Sequence, residues 1–183
     1  AVKYFGHIQD LYRKMDDVLG DIMARYGEKA TVIVMSDHGF ANFKRQFNLN
    51  TWLKKNGYLY PADASSVLAD VDWSKTKAYG LGINGLYLNL QGRERDGIVT
   101  DVDEKEKLLQ EIVTKLQAEK DINGDLIIRQ AHRTDQAYFG PAARLAPDII
   151  VGYRRGYRAS WDTCLGNMSK EVLSDNDSAW SAD

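Results

Sequence analysis

The sequence predicts an α/β protein: a mainly parallel sheet flanked by helices, with a smaller, partly antiparallel excursion across roughly residues 60 to 145. Three observations carry this. Thr31, Val32, Ile33, Val34 and Met35 form an unbroken, mostly β-branched apolar run, the pattern of a strand buried on both faces. A long amphipathic segment precedes that run. A second segment of helical period follows among short strand-like runs, so helices and strands alternate along the chain.

The first helix carries Ile8, Leu11, Tyr12, Met15, Val18, Leu19, Ile22 and Tyr26 on one stripe, and Gly27 supplies its stop. Burying that stripe calls for a sheet face, and residues 31–36 are the natural partner. Together they read as the second half of a βαβ unit. His7 reads as a surface or capping residue. Ser36, Asp37, His38 and Gly39 close the apolar run. In open α/β sheets, ligands bind beyond the carboxyl ends of the strands. A carboxylate beside an imidazole there offers one hard oxygen and one borderline nitrogen, a pair suited to a zinc-like or manganese-like ion. The plainer alternative makes Asp37 a turn cap and gives His38 a local hydrogen bond.

Residues 41–48 read as an irregular loop, with Lys44 and Arg45 either solvated or facing substrate. Asn50 is expected to cap a short helix bearing Trp52 and Leu53, ended by Asn56 and Gly57. A polar surface excursion follows Pro61. The runs 76–79 and 86–90 flank a segment, 80–85, with the spacing GxGxxG. That spacing precedes a strand instead of opening a helix, so it marks a hairpin and not a dinucleotide site. Residues 92–97 form a charged turn.

A second helix is predicted over 104–119, with Leu108, Leu109, Ile112, Val113 and Leu116 as its stripe and Asp103 with Glu106 as a capping arrangement. Asn123 and Gly124 turn the chain into a strand at 126–129. His132 and Asp135 fall in a polar loop with structural roles, and 148–152 is a further short strand. The tail from Tyr153 lacks periodicity. Arg154, Arg155 and Arg158 among Tyr153, Tyr157 and Trp161 suggest base stacking, but acidic residues follow them.

The formal charge of −2 argues against binding a nucleic-acid polymer. No apolar stretch has the length of a membrane span. Cys164 is the one cysteine, so no internal disulfide is available and the compartment stays undetermined. Hydrophobic content of 44% and charged content of 27% fit a folded domain.

Several segments together resemble the type I phosphodiesterase/nucleotide pyrophosphatase branch of the alkaline phosphatase superfamily. They are residues 12–20, the run 32–40 with its Ser-Asp-His-Gly element, and residues 50–59. Lys77-Ala78-Tyr79, residues 85–89, Ala146-Pro147-Asp148 with the apolar run behind it, and the terminal Trp180-Ser181-Ala182-Asp183 add to these. The resemblance implies an alkaline-phosphatase-like fold and a phosphohydrolase with two divalent metal ions, zinc first and manganese second. Its substrate would be a small phosphate ester, attacked in line by a Thr or Ser. By motif match, Asp37 and His38 would be metal ligands.

The family's nucleophile, its earlier ligands and its last His have no counterpart between Ala1 and Asp183. The expectation is therefore an incomplete domain: residues 1–183 as the C-terminal portion of one catalytic domain, inactive alone, with 60–145 as a cap-like excursion. Competing readings are a phosphomutase or sulfatase of the same superfamily, and a non-catalytic ligand- or partner-binding α/β domain.

Overall fold

The computed structural model describes residues 4–62 and 67–177. The terminal match at 180–183 lies outside the described residues, as does the end of the polar excursion after Pro61. The chain divides into two compact units, Ala1–Gly39 and Phe40–Asp183.

In the first unit, α1 (Phe5–Tyr26) forms as its periodicity predicts, and the Gly27 amide closes it onto the Met23 carbonyl at 2.8 Å. Its apolar stripe stays open. Ile8, Leu11, Met15 and Val18 are each at least half exposed, and Leu19 and Val32 are only partly covered. The run at 31–36 makes no strand, and Ile33, Val34 and Met35 lie in solvent. This corrects the expected buried strand and βαβ unit. A strand exists through its ladder, and no described segment pairs with this one.

The second unit holds two sheets. In the smaller, β1 (Arg45–Phe47) lies between β6 (Tyr157–Ala159), which runs parallel to it, and β7 (Leu173–Asp175), which runs antiparallel. The larger has the order β2 (Ala78–Leu81), β3 (Gly85–Leu88), β5 (Ile149–Tyr153), β4 (Ile128–Arg133), with every neighbouring pair antiparallel. Among the described strands β1 and β6 are thus the one parallel pair, and a mainly parallel sheet is not what they form. The reason lies in the connections. A tight turn joins β2 to β3, and short 3₁₀ turns at Thr134–Gln136 and Pro141–Leu145 join β4 to β5. Neither connection carries the crossover helix that a parallel pair requires.

Three helices complete this unit: α2 (Leu49–Lys55), α3 (Val102–Ala118) and α4 (Trp161–Cys164). The predicted stripe of α3 is buried at Leu108, Leu109, Ile112 and Leu116, and the helix packs against β4. Its cap is Asp101 and not Asp103: the Asp101 carboxylate accepts from the amides of Asp103 (2.6 Å) and Glu104 (3.0 Å). The core joins that stripe to Phe47, Trp52, Leu53, Leu86, Leu88, Ile149 and Val151, from α2 and both sheets.

The hairpin expected from 80–85 is present as β2 and β3. Residues 41–48 are more ordered than a loop, since β1 starts at Arg45. Asn50 does not cap α2. Asn48 holds the N-cap position, and Asn50 is fully buried two residues further in, within the first turn.

Candidate metal centre

Asp37 and His38 sit at the end of the first unit, directly after the exposed apolar run. Local hydrogen bonds shape the turn. The Ser36 hydroxyl donates to the His38 carbonyl at 2.6 Å, and Asp37 Oδ1 accepts the His38 amide at 3.0 Å. His38 Nδ1 lies 3.0 Å from the Gly39 carbonyl. A carbonyl only accepts, so this contact places a ring proton on Nδ1, and the other ring nitrogen is Nε2.

That nitrogen is 3.5 Å from Asp37 Oδ2. Zinc bonds to nitrogen and oxygen of about 2.0–2.1 Å in a tetrahedral shell put neighbouring donors about 3.4 Å apart. The Asp37–His38 separation is close to that donor spacing. Both are open to solvent, with side chains 86% (Asp37) and 58% (His38) exposed. The turn-cap alternative is visible in the same geometry, because the Asp37–His38 amide contact is an ordinary cap. Oδ1 makes that contact and Oδ2 approaches the ring, so the two roles use different oxygens. Among the described residues, no group of three or more His, Cys, Asp or Glu side chains gathers to hold a metal.

Asp135 and Arg45, also singled out in the sequence, have structural partners. His132 lies on β4, exposed, while Asp135 accepts from Arg133 Nη2 at 2.6 Å, an Arg that also holds Glu106. Arg133 therefore holds the carboxyls of Glu106 and Asp135 below their ordinary range. Arg45 Nη1 reaches the buried Asp121 carboxylate at 3.3 Å. The glycines at 80–85 do not cradle an anion. A Cβ at Gly80 would lie 3.0 Å from Leu49 and 3.1 Å from Asn50 and Thr163, so this glycine lets α2 and α4 approach the strand.

One charged group escaped the sequence reading. Asp148, nine-tenths buried, accepts from Arg93 Nη2 at 2.6 Å and the Leu88 amide at 2.8 Å, with Lys105 Nζ 3.7 Å away. The Ala-Pro-Asp element of the resemblance thus works as a bolt between β3 and β5. Its signal was the lone acid heading an apolar run.

The chain belongs to the type I phosphodiesterase/nucleotide pyrophosphatase family, whose model matches residues 4–163. The family is one of hydrolases, generally metal-dependent, and small-molecule phosphate esters fit it as substrates. Comparison with curated proteins gives no match, and comparison with solved structures gives none. No helix of the described residues is long and apolar enough to cross a membrane.

Proposed function

We propose that the protein acts as a metal-dependent phosphohydrolase of the phosphodiesterase/nucleotide pyrophosphatase type, with Asp37 and His38 among its metal ligands. The observation that carries this is the 3.5 Å separation of His38 Nε2 and Asp37 Oδ2 inside the family's Ser-Asp-His-Gly element. The nucleophilic Thr or Ser and the remaining ligands lie outside these 183 residues. The open apolar face of α1 and the bare run at 31–36 support the incomplete-domain reading, since a neighbouring strand would cover them.

A divalent ion held here would supply Lewis acidity toward a phosphoryl oxygen. The residues of this chain do the positioning. The Gly39 carbonyl fixes the imidazole tautomer, the His38 amide orients the Asp37 carboxylate, and Ser36 pins the turn between them. One anionic and one neutral donor leave net positive charge to attract a phosphate oxygen.

The test is hydrolysis of bis(4-nitrophenyl) phosphate by the protein from the complete reading frame, stripped of metal and then resupplied with zinc or manganese. Turnover that appears only on resupply supports the proposal. A complete protein that remains inert, or whose sequence carries no upstream Thr or Ser nucleophile, turns the reading to a non-catalytic binding domain.

A further inference from the structure

Two clefts of the second unit, of about 590 and 450 Å³, adjoin through Asp125, Arg155 and Tyr157. Lys44 and Arg45 line the first, Arg129 and Arg154 the second, and Arg155 both. Against these cations stand two carboxylates, Asp121 and Asp125. Asp121 is already committed: it accepts from Arg45 Nη1, from the Tyr157 hydroxyl at 3.1 Å and from the Ile122 amide at 2.6 Å. No ion pair engages Lys44, Arg129, Arg154 or Arg155 among the described residues.

Elsewhere in this unit Arg93, Arg95 and Arg133 each hold a carboxylate, while Arg158 lies over the Trp161 ring. The backbone fixes the unpaired cations together. Gly156, at φ +93°, closes a turn in which the Tyr157 amide donates to the Arg154 carbonyl at 3.0 Å. The Gly156 carbonyl in turn accepts from the amides of Lys44 (2.8 Å) and Arg45 (3.0 Å). Arg45 Nε is buried without a hydrogen bond, although Asp175 Oδ1 stands 3.2 Å away out of alignment. Concentrating like charge in a concavity of a chain with net charge −2 costs repulsion unless an anion shares the space.

We propose that this double cleft binds a small anion with several adjacent phosphoryl groups, of the inorganic polyphosphate class. Its two lobes and the spread of cations across them match a chain of phosphoryl groups better than one phosphate. Guanidinium forks suit such oxygens. The concave shape and small volume fit a small molecule and not a flat lipid surface. The site is independent of the metal ligands assigned above and stands or falls without them.

The experiment is calorimetric titration of the 183-residue chain with inorganic tripolyphosphate in metal-free buffer at low salt. Saturable binding is expected, weakened about three- to fivefold by each of Arg154→Ala and Arg155→Ala, the range of partly exposed charge contacts. The double variant Lys54→Ala/Lys55→Ala, which removes two charges from α2 against one in each cleft variant, should leave affinity unchanged. Orthophosphate should bind more weakly than tripolyphosphate. Absence of saturable binding overturns the proposal. So do equal losses in the α2 variant, equal affinity for orthophosphate, and sedimentation with phosphatidylserine vesicles in place of tripolyphosphate binding.

Discussion

The Asn50 side chain bonds both backbone groups of Gly80: its Oδ1 accepts the Gly80 amide at 2.7 Å, and its Nδ2 donates to the Gly80 carbonyl at 3.0 Å. Strand β2 is an edge of its sheet, and the carboxamide occupies the place of the missing ladder neighbour. Both partners are buried, so this contact sits where unmet polar groups cost most. Asn50→Ala should destabilise the chain by about 3 kcal/mol, because a buried N–H and a buried C=O each lose a partner. Urea unfolding checks it, and a change within experimental error would contradict it.

Gly80→Ala follows from the same approach. Its Cβ would press on Leu49, Asn50 and Thr163 at 3.0–3.1 Å. The expected cost is about 1–3 kcal/mol, the range for overpacking a tight core. Combined with Asn50→Ala, the two losses should sum to less than their separate values, since both act through one contact.

Asp148→Ala should cost about 3 kcal/mol, because it strands the half-buried Arg93 guanidinium and unties the Leu88 amide. Thermal unfolding reads this. Adding Arg93→Leu should recover part of the loss; no recovery would mean that the ion pair is not the cause.

The Glu111–Lys115–Tyr58 cluster sets a pH dependence. Hydrogen bonding from Lys115, then from Tyr58, holds the Glu111 carboxyl below its ordinary value of 4.5. A depressed acid stabilises the fold above its unfolded pKa, and that contribution fades as pH falls through the lower folded value. Hydrogen bonding to Glu111 pushes Lys115 up from 10.5 to about 12, so its contribution is complete below 10.5 and lost as pH rises through about 12. Glu111→Gln should flatten both limbs of a plot of Tm against pH. A variant that parallels the parent at both ends would contradict this.

Burial pushes the Cys164 thiol up from its ordinary value of 9.0. At neutral pH the thiolate fraction is small, and Ellman's reagent should label the folded chain far more slowly than the urea-unfolded one. Equal rates would show the thiol to be accessible and unperturbed.

Helix α3 was legible in the sequence because five apolar residues at helical spacing leave one solution, and the core pays that pattern back in full at Leu109, Ile112 and Leu116. Its cap was misplaced by two residues, although Asp101 and Glu104 carry the same capping spacing as Asp103 and Glu106. Strand β1 escaped because three residues, Arg45–Phe47, are too short to show alternation. Asn50 looked like a cap because caps are what asparagines before apolar runs usually are; its real partner, Gly80, is distant in sequence. The run at 31–36 carries a strand's composition without a strand's neighbour. Periodicity reports what a segment could bury, and the ladder must come from another segment. The adjacency of Asp37 and His38 was legible in the sequence, whereas their distances depend on a turn that no spacing rule specifies.

Without further ligands, the 183-residue chain should take up zinc only weakly, because two donors fall short of a tetrahedral shell. The most direct test of the metal assignment is zinc titration of the protein from the complete reading frame beside its His38→Ala variant. The account predicts tight uptake by the parent and an affinity at one site at least about 100-fold lower in the variant, since losing even an outer-shell partner costs up to that much. Identical isotherms for the two proteins would contradict it.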